Sequence, residues 1–83
     1  MFLARIYVSP RPTVNDPEGL TILSSLGQLG YQNVSSVRSG NYIEVQIDEI
    51  NEPTAREKVV EMCDKLLANP VIEEYRFELE KVN

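Results

Sequence analysis

The stretch FLARIYVS, residues 2–9, alternates between two kinds of side chain. One set is apolar and consists of Phe2, Ala4, Ile6 and Val8. The other set is more polar and consists of Leu3, Arg5, Tyr7 and Ser9. A period of two predicts a β-strand with one face buried. Pro10 and Pro12 end it, because proline has no N–H to donate to a neighbouring strand.

The next segment predicts a helix with clear signals at both ends. Asp16 suits the N-cap, Pro17 the first helical position, and Glu18 the positive end of the helix dipole. Leucines and an isoleucine follow at helical spacing up to Leu29. Gly30 is placed to end the helix in a left-handed cap.

The rest of the chain predicts three more strands and one more helix. Residues 31–38 are expected to form a second strand and residues 42–48 a third, joined by a turn at 39–41. A second helix is expected near 53–68, ending at Asn69-Pro70, and a fourth strand over 71–80. The buried stripe of the second helix is expected to contain Ala55, Val59, Met62, Cys63 and Leu66.

The order β-α-β-β-α-β predicts a single α+β domain, residues 1–83, of the ferredoxin-like kind. We expect a four-stranded antiparallel sheet in the spatial order 4-1-3-2, with both helices on one face. The other face has no helix to cover it. The side chains expected there are Arg5, Tyr7, Tyr42, Glu44, Gln46, Arg76 and Glu78. Tyrosine and arginine are enriched at protein interfaces, which favours a docking face over a solvated one.

Composition limits the partners and the compartment. The 83 residues carry a net charge of −5 with scattered basic residues, which disfavours nucleic acid and anionic membranes. No run approaches the ~20 apolar residues of a membrane span, and the first residues do not have the pattern of a signal peptide. A single cysteine, Cys63, favours a cytoplasmic setting.

The residues needed for catalysis are largely missing. The chain has no histidine, so Ser-His and Cys-His pairs are impossible, and Cys63 is expected in the core. Clustered zinc ligands and a glycine-rich phosphate loop are also missing. We therefore expect no catalytic, cofactor-binding or metal-binding residues, and a non-catalytic subunit of a larger assembly.

Four motifs occur in a fixed order along the chain: Tyr7-Val8-Ser9, then Asp16-Pro17-Glu18-Gly19, then Val37-Arg38-Ser39-Gly40, and then the run from Glu61 to Tyr75. Together they resemble the PurS family, the small subunit of phosphoribosylformylglycinamidine (FGAM) synthase. The part from Met62 to Tyr75 is the most specific, and the resemblance extends over nearly the whole chain.

The resemblance implies a role in purine biosynthesis. The complex converts formylglycinamide ribonucleotide, glutamine and ATP into formylglycinamidine ribonucleotide, glutamate, ADP and phosphate. A glutaminase subunit releases ammonia, and a large synthetase subunit uses ATP and magnesium. The small subunit would bridge the two and assist ammonia transfer, as a homodimer or homotetramer formed through its sheets.

The same resemblance suggests partner-facing loops. Arg11, Asp16, Arg38 and Asn41 are the residues expected to lie in them. Family members often carry lysine where this chain has Asn41, so an ionic contact at that position would be missing here.

Three other classes share the predicted topology. The first is an ACT-like regulatory domain that binds a small molecule, which usually has a glycine in its first loop, whereas residues 10–15 have none. An acylphosphatase-like enzyme would use an arginine such as Arg11 and an asparagine such as Asn41, but the glycine-rich cradle is missing. An RNA-binding sheet needs basic neighbours around its aromatic residues, whereas Tyr7 and Tyr42 lie among glutamates.

Overall fold

The structure, a computed structural model, describes residues 1–82. In chain order its elements are β1 (Phe2–Pro10), α1 (Pro17–Gln28), β2 (Asn41–Ile47), α2 (Glu52–Met62), a π-helical turn (Cys63–Leu67) and β3 (Glu73–Lys81). Neither helix in this part of the chain has the length and apolar character required to cross a membrane.

The sheet is antiparallel with β1 at its centre, in the order β2-β1-β3. Ile6 pairs with Ile43 on one side and with Phe77 on the other. The alternation of residues 2–9 therefore sets both faces of the sheet. Its apolar set is buried, as predicted: Phe2, Ala4, Ile6 and Val8.

The sheet has three strands among residues 1–82, not the four predicted from sequence. Residues 31–38 form a turn followed by irregular chain that pairs with no strand, and the expected hairpin at 39–41 is therefore wrong as well. Val34 and Val37 are three residues apart, so a strand would point them to opposite faces. The other three strands have the predicted spatial order.

Helix α2 covers the apolar face of the sheet. Asn51 caps it by accepting a hydrogen bond from the Thr54 N–H at 3.2 Å. Ala55, Val59 and Cys63, spaced at four residues, are fully buried. They pack above β1 in two neighbouring clusters, one around Ile6 and one around Phe2.

The predicted burial of Leu66 is wrong, because the helix does not continue in α form. Over Cys63–Leu67 the backbone widens into a π-helical turn, in which the Ala68 N–H donates to the Cys63 carbonyl at 3.0 Å. The wider turn shifts the buried stripe by about one residue. Ala68 enters the core instead, and Leu66 is 83% exposed.

Helix α1 has the predicted caps. Asp16 accepts a hydrogen bond from the Gly19 N–H at 3.1 Å. At the other end Gly30 adopts φ 99°, and the Tyr31 N–H donates to the Leu26 carbonyl at 3.0 Å. Together with a bond from the Gly30 N–H to the Gly27 carbonyl, this is a Schellman motif.

Helix α1 does not cover the sheet in the way that α2 does. Its only buried residue is Gly19, whereas Leu20 is 55% exposed and Leu29 is 74% exposed. The molecule measures 50 × 28 × 14 Å with a radius of gyration of 16.3 Å. A compact domain of this length would have about 12 Å. The prediction that both helices lie on one face is thus correct for α2 alone.

The left-handed backbone at Gly30 predicts a measurable cost of substitution. Gly30→Ala should lower the free energy of unfolding by about 1–2 kcal/mol, because a Cβ disfavours this conformation although nothing lies within 4 Å of it. Gly27→Ala, also in open space but inside α1, should raise it by about 0.5–1 kcal/mol. Urea unfolding of both variants measures these changes in the free energy of unfolding. Equal changes in the two variants would contradict the left-handed conformation of Gly30.

Candidate functional site

Asp16 links the beginning of α1 to the segment that leads into β2. One carboxylate oxygen, Oδ1, accepts from the Gly19 N–H, and the other, Oδ2, accepts from the Ser39 N–H at 2.7 Å. The residue is 7% exposed. These bonds, with that from Ser39 the largest cause, lower the pKa of Asp16, and the positive charge of Arg38 adds to the effect.

Arg38 closes the loop between β1 and α1. Its guanidinium donates to the carbonyl oxygens of Pro10 at 3.0 Å, Arg11 at 2.8 Å and Val14 at 3.4 Å. A planar group with several donors holds three carbonyls that would otherwise need water. We call this arrangement, together with the bonds of Asp16, the loop clasp.

Arg11 fastens the same loop to the chain before β3. Its Nε and Nη2 donate to the carbonyl oxygen of Pro70 at 3.1 and 2.7 Å. The backbone adds a bond from the Arg11 N–H to the Ile72 carbonyl at 2.9 Å. The loop therefore rests on two distant segments of the chain, residues 37–40 and 70–72.

Two glycines allow the close backbone approach that the loop clasp needs. A Cβ on Gly19 would lie 2.5 Å from the Val37 carbonyl oxygen, and a Cβ on Gly40 would lie 2.2 Å from that of Val8. Both distances are far below van der Waals contact, so any side chain would force the segments apart.

The structure brings together three of the four residues expected to face partners. Arg11, Asp16 and Arg38 meet in the loop clasp, while Asn41 begins β2 and pairs with Val8. The polar side-chain atoms of Arg11, Asp16 and Arg38 form hydrogen bonds with backbone groups. The side chains that the loop exposes are Pro12, Thr13 and Asn15. Direct partner contact by the four residues stays a prediction.

The hydrogen-bond partners of these side chains were not predictable from the sequence. Ser39 contributes only its N–H, and Pro70 only its carbonyl oxygen. Backbone groups of any residue type could fill these roles. No signal in the amino-acid order points to them.

The open face of the sheet carries the side chains predicted for it. Tyr7 lies opposite Tyr42 on one side and Arg76 on the other. The two tyrosine rings are 5.1 Å apart between centroids, and the Arg76 guanidinium lies 4.0 Å above the Tyr7 ring. Such contacts hold these side chains in place.

Charged groups surround these aromatic side chains. Arg5 forms an ion pair with Glu80, and the hydrogen bond between them raises the pKa of Arg5. The Tyr42 hydroxyl donates to Glu44 at 2.7 Å, which raises the pKa of Tyr42. Tyrosine and arginine are enriched at protein interfaces, whereas glutamate is depleted there.

Reactive groups are scarce in the described part of the chain. Cys63 is fully buried in the core as predicted, and burial raises the pKa of its thiol, with the charge of Asp64 adding to the rise. Within residues 1–82 no three carboxylate, thiol or imidazole side chains lie together as metal ligands would.

The lowered pKa of Asp16 predicts an acid-dependent loss of stability. The stabilisation is present above the unfolded pKa of about 3.9 and is lost as pH falls through the lower folded pKa. At pH 7, Asp16→Asn should unfold at a lower urea concentration than the wild type. Below about pH 4, its free energy of unfolding should fall less steeply with decreasing pH than that of the wild type. Glu18→Gln, an exposed carboxylate on the same turn, should keep the wild-type acid profile. An unchanged profile in Asp16→Asn would contradict the role of this carboxylate.

The family described as PurS, phosphoribosylformylglycinamidine (FGAM) synthase, matches residues 3–81. A relative from Synechocystis named phosphoribosylformylglycinamidine synthase subunit PurS is 53% identical over 75 residues, which is 90% of this chain and 75% of the relative.

Two solved structures support the match. PurS of Bacillus subtilis superposes with a TM-score of 0.88 at 41% identity, covering 98% of this chain and 100% of that one. A chain in the structure of PurLQS from Thermotoga maritima gives 0.84 at 32% identity, covering 96% and 99%. The family model matches residues 3–81, and the two solved structures cover 98% and 96% of this chain. This chain therefore belongs to the PurS family of FGAM synthase.

Proposed function

We propose that this chain is the non-catalytic small subunit of an FGAM synthase complex and joins a glutaminase subunit to a synthetase subunit. The observation that carries the proposal is the match over residues 3–81 to a family described as FGAM synthase. A similar chain occurs in a solved structure named PurLQS, in which three Pur subunits are named together.

The reaction assigns the chemistry to the other two subunits. Glutamine is hydrolysed to glutamate and ammonia, and ammonia then replaces the amide oxygen of formylglycinamide ribonucleotide as ATP becomes ADP and phosphate. We assign ATP and magnesium to the synthetase and the nucleophilic cysteine to the glutaminase. In this chain the one thiol is buried and its pKa is raised, which is the opposite of an activated nucleophile.

Such a reaction needs a subunit that supplies geometry. Ammonia that reaches bulk water is diluted and protonated, and its protonated form cannot attack. A subunit that holds two active sites in register raises the local ammonia concentration and excludes water between them. Pre-organised surfaces suffice for this task, and the loop clasp and the open sheet face are two of them.

We assign the loop held by the loop clasp to the larger subunits. The loop presents Pro12, Thr13 and Asn15 on a backbone that Arg38, Arg11 and Asp16 connect to residues 37–40 and 70–72. A fixed loop loses little conformational entropy on binding, so it suits a specific contact.

The open sheet face is assigned to self-association, as a homodimer or homotetramer. A three-stranded sheet covered by one helix leaves half its side chains without a covering layer, and domains need two layers to bury them. We also expect the complex to work in the cytoplasm, which suits the single cysteine of this chain.

Co-elution of the purified chain with the glutaminase and synthetase subunits, in the presence of glutamine and ADP, tests the assignment. The wild type should elute with both larger subunits by size-exclusion chromatography. Thr13→Arg, a bulky change at the exposed loop, should lower the fraction of the chain that co-elutes with the larger subunits at least tenfold. It should leave the urea concentration at the midpoint of unfolding unchanged. Ile50→Arg is the matched control, because Ile50 is 91% exposed beyond the opposite end of β2.

Two outcomes would count against this account. Wild-type protein that elutes apart from both subunits would remove the proposed function. Equal effects of Thr13→Arg and Ile50→Arg would remove the loop as the contact while leaving the function.

A further inference from the structure

The chain between the π-helical turn and β3 forms a tight turn, residues 69–73, which we call the Asn69 turn. The Asn69 side-chain oxygen accepts a hydrogen bond from the Val71 N–H at 3.0 Å. The Asn69 carbonyl accepts from the Ile72 N–H at 3.2 Å and from the Glu73 N–H at 2.7 Å. The Glu73 carboxylate accepts in return from the Asn69 N–H at 2.7 Å. These hydrogen bonds fix the backbone of the turn.

The Asn69 turn presents apolar side chains to solvent. Val71 is 78% exposed and Ile72 is 44% exposed, although the backbone that carries them is fixed. Pro70, which precedes them, is exposed as well. Apolar side chains gain free energy when a partner removes them from water, and a fixed turn loses little conformational entropy on binding. The turn therefore has the properties of a contact site.

The Asn69 turn adjoins the exposed loop between β1 and α1. Arg11 of that loop donates to the Pro70 carbonyl through its guanidinium and to the Ile72 carbonyl through its N–H. Pro10, at the end of β1, lies opposite Glu73 in the sheet. The loop and the turn therefore form one surface, which we call the docking edge. The docking edge consists of Pro12, Thr13, Pro70, Val71 and Ile72.

A cavity of about 220 Å³ beside the docking edge has an acidic lining. The charged residues of the lining are Asp64, Glu73 and Glu74 against one basic residue, Arg11. Three carboxylates against one guanidinium leave the lining with an excess of negative charge. Within residues 1–82 none of the four takes part in an ion pair.

The hydrogen bonds of these carboxylates do not neutralise their charge. Asp64 accepts from the Tyr75 hydroxyl at 3.1 Å, and Glu73 accepts from a backbone N–H at 2.7 Å. Both donors are uncharged. The Arg11 guanidinium donates to a carbonyl oxygen instead of a carboxylate. The charge of the cavity is therefore complementary to a cationic side chain of a partner.

We propose that the docking edge binds a segment of a larger subunit in which a lysine or arginine lies next to an apolar side chain. The inference rests on the proposed function and adds the chemistry of the partner segment to it. The cation enters the acidic cavity, and the apolar side chain packs against Val71 and Ile72. Burial of the apolar side chains supplies affinity, and the charges set the orientation of the segment.

Removing the apolar contact tests the first half of the proposal. The measurement is the dissociation constant of the labelled chain for the glutaminase and synthetase subunits, by fluorescence anisotropy with glutamine and ADP present. Val71→Gln should raise this constant about tenfold, whereas Val71→Ile should keep the wild-type value. Ile50→Gln is the matched control, because Ile50 is 91% exposed beyond the opposite end of β2. The urea midpoint of each variant checks its fold.

Removing the negative charge tests the second half. Asp64→Asn combined with Glu73→Gln removes two charges and keeps both hydrogen-bond acceptors. This double variant should bind more weakly at low ionic strength, and its dissociation constant should depend less on salt than that of the wild type. Asp48→Asn combined with Glu57→Gln removes the same charge at exposed positions that do not line the cavity. Equal salt dependence in the two double variants would overturn the cationic partner segment.

Three further outcomes separate this inference from the proposed function. Val71→Gln that binds as tightly as Ile50→Gln would overturn the inference and leave the function. A Val71→Gln chain whose own oligomeric mass differs from the wild type by light scattering would assign the docking edge to contacts between copies and overturn the inference. Wild-type chain that binds neither larger subunit would remove the proposed function and the inference with it.

Discussion

The two hydrogen bonds of the Asp16 carboxylate join the beginning of helix α1 to the segment before β2. One fixes the first turn of α1 through Gly19, and the other holds Ser39, two residues before β2. The helix is therefore attached at its beginning, while the rest of it projects without a buried side chain. A chain built in this way exposes apolar surface of the kind that marks interaction sites in other proteins.

This arrangement bears on how a small chain serves as a non-catalytic subunit of FGAM synthase. The loop clasp and the open sheet face are formed by different segments of the chain. In the first, the Arg38 guanidinium donates to three carbonyl oxygens, and in the second, the Arg76 guanidinium lies above the Tyr7 ring. An ammonia-transfer complex needs such fixed distances between active sites.

Local sequence signals predicted much of the fold correctly. Contacts between distant segments could not be predicted from the sequence. Strand β1 was identified from the alternation of residues 2–9, and helix α1 with both caps from Asp16-Pro17 and Gly30. The residues of the open sheet face were also predicted correctly. The prediction of a strand over 31–38 was wrong, because two valines suggested β-structure although their spacing does not fit the period of a strand. Leu66 was misplaced because an α-helical period cannot reveal a π-helical turn, and the loop clasp was missed because backbone groups complete it.

Comparing two nitrogen sources tests most directly whether the chain supplies geometry alone. FGAM formation is measured with the glutaminase and synthetase subunits, with and without this chain, using either glutamine or a high concentration of ammonium chloride. Omitting the chain should nearly abolish the glutamine-dependent rate and leave the ammonium-dependent rate within about twofold, since the latter needs no transfer between subunits. An equal loss of both rates would contradict the account, because the chain would then take part in the synthetase chemistry.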